Sequence, residues 1–191
     1  MRSVAKKYQE ERTVFITGGI LTDSFIHITI RFARMDVVYR AGIYDDVEND
    51  VEPLDIEEMR ALYNLIPEGF KNQASNIMLD PTFGNASSMV GGADVDLIMD
   101  GTMIDIKTTK EMKLDAYLWS QIVGYLILAD EALKTEKGFP IIEILGLYFS
   151  RYGYLWKMNA AYVYNLVNYK ALKSELIAEG KNNNGKIIGN I

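Results

Sequence analysis

The chain has 191 residues, 26 acidic and 20 basic side chains, a formal net charge of −6 and no cysteine. That length suits one domain with a full hydrophobic core, and 49% apolar with 24% charged residues is ordinary globular composition. The missing thiols exclude disulfides, a thiolate nucleophile and cysteine-ligated zinc or iron–sulfur clusters. No apolar run approaches the roughly 18 residues of a membrane span. The segment "MRSVAKKYQEERTVFITGG" has basic residues but no long apolar stretch behind them, so the expectation is a cytoplasmic protein with no membrane partner.

The negative total argues against nucleic-acid binding through a generally basic surface. The acid is concentrated, however. Between Asp36 and Glu58 nine acids face one base, Arg40, and the remainder carries 17 acids and 19 bases. A neutral or basic face elsewhere remains open. The acidic run itself reads as solvated surface.

In chain order, "TVFITGG" is a short strand-like run ending in a Gly pair. "SFIHITIRFARMDVVY" is ambiguous: its β-branched residues suggest strand, while Phe25, Ile28 and Phe32 share a helical face. "GIYDDVENDVEP" is an acidic loop. "DIEEMRALYNLI" reads as a helix with Asp55 as N-cap and Glu58 three residues on. "SNIMLDPTFGNASS" holds a short strand and then turn residues. "VDLIM" and "TMIDIKT" are strands around Asp100-Gly101. "LDAYLWSQIVGYLILADEAL" is a long, largely buried helix. "IIEILGLYFS" and "YLWKM" form a second hairpin around Arg151-Tyr152-Gly153. "NAAYVYNLVNYKALKSELIAEG" is an amphipathic helix with a Gly stop. Residues 181–191, Asn/Gly-rich, form a polar and flexible tail. The order predicts an α/β or α+β fold, a mixed sheet flanked by helices, in a single domain over 1–180.

The stretch "GGADVDLIMDGTMIDIKTTK" carries the chemistry. Asp-Gly between alternating apolar runs is a strong hairpin signal, because a type I′ turn needs positive φ at both central residues. Centred there, the register opposes Leu97 to Ile104, Asp96 to Asp105 and Asp94 to Lys107. Alternation puts Asp94, Asp96, Asp105 and Lys107 on one face and Leu97, Ile104 and Ile106 on the other, toward a core. Opposed Cβ atoms lie about 5 Å apart, and like charges there are destabilising. A divalent cation, Mg²⁺ or Mn²⁺, shared by Asp96 and Asp105 resolves the conflict. Lys107 then serves the attacking water and a phosphate oxygen. The plainer explanation is a half-exposed strand with alternating charge, in which Asp94–Lys107 is a surface ion pair worth little.

This stretch resembles the core of the PD-(D/E)XK nuclease superfamily, in which an acid on one hairpin strand is followed by (D/E)-x-K on the next. Asp96 matches the first acid and Asp105-Ile106-Lys107 the second element. "QIVGY" is similar to the Q-x-x-x-Y element of the RecB-like branch, and Gln121 and Tyr125, four apart, share a helical face. The resemblance covers about Val90 to Ala129. It implies a restriction-endonuclease-like sheet, Mg²⁺ dependence, and hydrolysis of phosphodiester bonds, usually in DNA, to 5′-phosphate and 3′-hydroxyl ends. It also implies that the Ile106 backbone carbonyl is a metal ligand and that Gln121 and Tyr125 orient nucleic acid. The irregular Gly-to-Asp spacing leaves Asp94 competing with Asp96 for the first acid, and the proline of the superfamily's name is absent. The RecB-like branch often adds an upstream His. The one His here is His27, a candidate ligand and equally a packed or surface residue.

Lys110 and Lys113 flank the motif as candidate phosphate contacts or ordinary solvated lysines. Tyr148, Tyr152, Tyr154 and Trp156 are candidates for base stacking and, at alternating positions, ordinary sheet residues. The expected function is thus a Mg²⁺- or Mn²⁺-dependent nuclease, with DNA the favoured partner. The alternative is a catalytically weak nucleic-acid-binding or scaffold protein on the same fold.

Overall fold

The computed structural model describes residues 2–41, 50–71 and 74–182. The acidic loop at residues 42–49 and the tail at 183–191 lie outside the described residues. Where the sequence suggests one domain over 1–180, the backbone divides into two compact units, Met1–Leu65 and Ile66–Ile191.

The first unit holds three helices, α1 (Arg2–Gly18), α2 (Asp23–Ala41) and α3 (Pro53–Asn64). The strand expected at Thr13–Gly19 is instead the last turns of α1, and α2 resolves the ambiguous segment as helix. Aromatic spacing explains both. Tyr8 and Phe15 are seven residues apart, as are Phe25 and Phe32, so helix puts each pair on one face. Tyr8 stacks on Phe32 at 4.5 Å, and Phe15 lies 5.1 Å from Phe25 and 6.0 Å from Tyr63. Packing of that kind overrides the weak β-propensity of a Val/Ile/Thr run. The cap of α3 lies three residues before the expected Asp55. Glu52 is the N-cap, Pro53 opens the helix, and Asp55 accepts the Glu52 N–H at 3.3 Å.

The second unit is a five-stranded mixed sheet with helices against it. Its elements are α4 (Glu68–Lys71), β1 (Ile77–Leu79), α5 (Asn85–Met89), β2 (Leu97–Met99), β3 (Thr102–Lys107), α6 (Ala116–Thr135), β4 (Ile144–Phe149), β5 (Tyr154–Asn159), α7 (Ala160–Tyr164) and α8 (Tyr169–Asn182). The strands lie in sequence order, antiparallel except for the parallel β3–β4 pair, whose crossover is α6. Asp100 and Gly101 both have positive φ, as a primed hairpin turn requires, and Leu97 pairs with Ile104 as expected. The Asp100 carboxylate also accepts the N–H groups of Ser75 and Asn76, fixing the start of β1 to the turn.

The two sheet faces are unequal. Ile98, Met103, Leu145, Leu147 and Phe149 join Leu118, Ile122 and Leu126 of α6 in the main core. Ile122 and Leu126 are wholly enclosed, each worth roughly 1.5–3 kcal/mol over an exposed side chain. The other face carries a smaller cluster of Leu97, Ile104 and Tyr148, with Phe70 of α4 edge-on to Tyr148 at 5.1 Å. Ile106, expected in a core, is 41% exposed. It lies beyond the reach of that small cluster.

The amphipathic C-terminal segment is two helices rather than one. It breaks at residues 165–168, where Asn165 and Asn168 favour a turn on either side of Leu166 and Val167, and α8 runs past Gly180. Asp130 of α6 fastens both pieces. It accepts the hydroxyls of Tyr164 and Tyr169 and the Lys173 ammonium, each at 2.8 Å. Burial, and then the Asp130 carboxylate, push both phenols well above the ordinary tyrosine range. Asp130→Ala leaves two hydroxyls without their acceptor and leaves the Lys173 ammonium with Glu131 alone, at 3.2 Å. It is expected to destabilise the fold by about 2 kcal/mol, on the scale of losing hydrogen bonds to a charged group. A urea unfolding midpoint equal to wild type would show that this network does not hold α7 and α8.

Candidate functional site

The β2–β3 hairpin delivers its acids to the α6 face, though not by the simple ladder. Pairing between β2 and β3 stops at Leu97–Ile104. Before Leu97 the chain bends toward the segment after β1. The Asp96 carbonyl accepts from Asp80 N–H at 3.0 Å, and Asp94 forms a bridge with Thr82. Asp94 is exposed, and the β2–β3 ladder ends before the expected Asp94–Lys107 and Asp96–Asp105 positions. Asp96 reaches β3 by its side chain: Oδ2 accepts the Ile106 N–H at 2.6 Å. The backbone of Ile106 and the carboxylate of Asp96 thus meet, with the amide as the engaged group.

Asp105 points into the face covered by α6 and is 5% exposed. Its Oδ2 lies 2.6 Å from Lys107 Nζ but has no partner in good hydrogen-bonding geometry, so the contact is chiefly ionic. Lys107 Nζ also donates to Gln121 Oε1 at 2.7 Å, and Gln121 Nε2 donates to the Tyr125 hydroxyl at 3.2 Å. A continuous polar chain therefore runs Asp105–Lys107–Gln121–Tyr125. It joins the D-x-K strand to the Q-x-x-x-Y helix. The helix is held for this role by Asp115, whose side chain accepts the Leu118 N–H at 3.0 Å.

Charge follows geometry. Burial raises the Asp105 carboxyl above the usual carboxylate range and the Asp96 charge adds to this, while Lys107 opposes both. The Tyr125 phenol is pushed up to about 12, first by burial and then by the charges of Asp105, Asp94 and Asp96. Tyr125 is accordingly a neutral hydrogen-bond donor at ordinary pH. All three acids act on it, so the structure brings Asp94, Asp96, Asp105, Lys107, Gln121 and Tyr125 into one electrostatic neighbourhood.

Other candidates fall elsewhere. His27 is on α2 in the first unit, where its Nε2–H bonds to Asp50 at 3.2 Å and holds that carboxyl below its usual range. Tyr148 is buried on the opposite sheet face, and Trp156 packs against the main core. Lys110 is exposed in the loop after β3, and its carbonyl accepts the Tyr152 hydroxyl. The sequence did not single out Thr108 and Ser150. Their hydroxyls lie 2.8 Å apart and tie the ends of β3 and β4 together. Only the β3–β4 register, which places Lys107 beside Phe149, reveals that they meet.

Among the described residues no three His, Asp or Glu side chains are grouped as a metal set. Two carboxylates near one another remain, one with a buried oxygen lacking a hydrogen-bond donor. Such a pair fits a hard cation whose remaining positions are filled by water and substrate oxygens. No family model, curated protein or solved structure matches the chain.

The raised Asp105 carboxyl has a consequence for stability. An acid whose folded pKa exceeds its unfolded value contributes stability below the unfolded pKa, and that contribution is lost as pH rises through the folded pKa. Asp105→Asn is therefore expected to raise the unfolding midpoint of metal-free protein at pH 8. The difference should narrow toward pH 4, close to the unfolded Asp value of about 3.9. Equal destabilisation by the variant at both pH values would show that the Lys107 pairing outweighs burial.

Proposed function

We propose that the chain is a metal-dependent nuclease that hydrolyses phosphodiester bonds, with DNA as the favoured substrate, on a site of PD-(D/E)XK type. The supporting observation is the unbroken contact chain from Asp105 through Lys107 and Gln121 to Tyr125. Residues spaced over 20 positions and two elements meet in the order that the D-x-K and Q-x-x-x-Y resemblance assigns to one site.

In this proposal Asp96 and Asp105, with the Ile106 carbonyl, hold Mg²⁺ or Mn²⁺. A cation held there would supply positive charge at the phosphate and would acidify a water. Lys107, already beside Asp105, orients that water and stabilises the oxygen charge that builds in the transition state. Tyr125 donates its hydroxyl hydrogen to a phosphate oxygen, and Gln121 keeps Lys107 and Tyr125 in place. Water attack on phosphorus breaks the bond to the 3′ oxygen. It leaves a 3′-hydroxyl and a 5′-phosphate.

The alternative is a nucleic-acid-binding protein with little catalysis. The favouring observation is that Asp96 already accepts the Ile106 amide and Asp105 already contacts Lys107, so the carboxylates are partly satisfied without metal. Metal binding separates the two. Mg²⁺ should raise the thermal midpoint of the wild type by mass action and leave Asp105→Asn unchanged. Titration calorimetry that shows equal Mg²⁺ binding by both proteins would sink the shared-cation site.

Two activity tests follow. Lys107→Met is expected to slow single-turnover cleavage of linear DNA by at least about a hundredfold, the scale of losing one preorganised electrostatic contact. DNA affinity measured in Ca²⁺ should change little. Asp96→Ala should remove cleavage almost completely and Asp94→Ala only in part, in keeping with Asp94 being bridged to Thr82. Wild-type rates from Lys107→Met, or a larger defect from Asp94→Ala than from Asp96→Ala, would count against the assigned roles.

A further inference from the structure

Beyond Lys107 and Phe149 the chain leaves the sheet by two loops that the carboxylate network does not use. One follows β3 and contains Thr108 and Lys110. The other follows β4 as a turn of 3₁₀ helix, Ser150–Tyr152. The two are fastened together twice. Ser150 and Thr108 share a hydroxyl contact at 2.8 Å, and the Tyr152 hydroxyl donates to the Lys110 carbonyl. Ser150 is buried, so the joint is internal, while Lys110 and Arg151 are exposed.

Among the described residues neither the Lys110 ammonium nor the Arg151 guanidinium has an ion-pair or hydrogen-bond partner. The neighbouring Lys113, by contrast, is paired with Glu111 at 3.2 Å. Two unpaired cations therefore sit on one braced double loop at the carboxyl ends of the parallel strands. Lys110 is three residues from Lys107, and Arg151 is two residues from the Phe149 that pairs with it. The Tyr152 ring beside them is 47% exposed, with its hydroxyl engaged and its face available.

We propose that this double loop is a subsite for the backbone of a nucleic-acid strand. Arg151 and Lys110 take phosphates flanking the one held at Asp96, Asp105 and Lys107, and Tyr152 offers a surface on which a base stacks. Guanidinium and ammonium suit phosphate oxygens, and stacking tolerates any base, so the subsite reads backbone and not sequence. The identity of the polymer rests on the nuclease reading. The cationic subsite itself rests on the loops.

The test is fluorescence anisotropy of a labelled oligonucleotide, single-stranded and as duplex, titrated with NaCl in chelator. Arg151→Ala and Lys110→Ala should each weaken binding and flatten the log–log salt slope by about 0.7 on the single strand or 0.9 on the duplex, and the double variant by about twice that. Arg151→Lys, which keeps the charge, should retain the slope. So should Lys170→Ala, an exposed lysine on α8. A wild-type slope from Arg151→Ala overturns the subsite, as does an equal loss from Lys170→Ala. Arg151-dependent capture of a poly-glutamate peptide, with no oligonucleotide binding, overturns the nucleic-acid assignment. DNA binding with the expected slopes but no Mg²⁺-dependent cleavage refutes the nuclease reading and upholds the subsite. Cleavage with Arg151-independent binding does the reverse.

Discussion

A carboxylate placed on the apolar side of a sheet needs compensation, and the Asp105 side chain under α6 sets that requirement for the second unit. Lys107 meets it from the same strand face, two residues on, at 2.6 Å. Lys107 is itself largely withdrawn from water, so it needs an acceptor, and Gln121 supplies one. An amide that accepts with its oxygen still has a donor to place, and Tyr125 takes it. Each group answers the deficit of the one before. The series ends on a phenol that burial and three nearby acids keep protonated, with its own hydrogen still to give.

The topology makes this series possible. Side chains alternate along β3, so Met103 lies within the main core while Asp105 and Lys107 follow it on the same face toward the strand's end. Because β4 runs parallel, the carboxyl ends of both strands and the loops after them emerge together. In open sheets with parallel strands that edge is where ligands are usually met. The α6 crossover returns over the same face. Its wholly buried Ile122 lies between Gln121 and Tyr125 in sequence, so core packing fixes the helix rotation that aims the two polar groups. At the far end Gly146 serves the same sheet. A β-carbon there would lie 3.1 Å from Ile104 and 3.3 Å from Leu155, so the small cluster closes because β4 has no side chain at that point.

Much of this was legible where one local rule acts alone. The Asp-Gly turn, the alternation on β3, the apolar breadth of α6 and the four-residue spacing of Gln121 and Tyr125 each follow from a single periodicity. What escaped depended on distant partners. The helices of Thr13–Gly19 and of the Phe25 segment are decided by aromatic packing, which their β-branched composition conceals. The α3 cap shifted because Pro53 favours the first helical position more strongly than Asp55 favours the cap. The break before Tyr169 lies in residues that also fit a helix pattern. At the site, the ladder follows the expected register through Leu97 and ends there; before it Asp94 bridges Thr82 and the Asp96 carboxylate takes the Ile106 amide. The Thr108–Ser150 contact and the pairing of the two exit loops come from the parallel register, for which no short motif exists.

Burial also bears on why the charges are there. A half-exposed strand with alternating charge would leave Asp105 in water, where an ion pair to Lys107 costs little and adds little. At 5% exposure the residue has lost most of its hydration, and the carboxyl is raised despite the lysine beside it. Buried pairs of this kind are often no better for stability than apolar residues of similar size. Met103, on the same face two residues earlier, shows that β3 accommodates an apolar side chain there. Stability alone therefore gives little reason for Asp105, Lys107 and Gln121 at these positions. The proposed nuclease role would supply such a reason, because the groups whose burial costs the fold most are those that would gain most from a cation and an anionic substrate beside them.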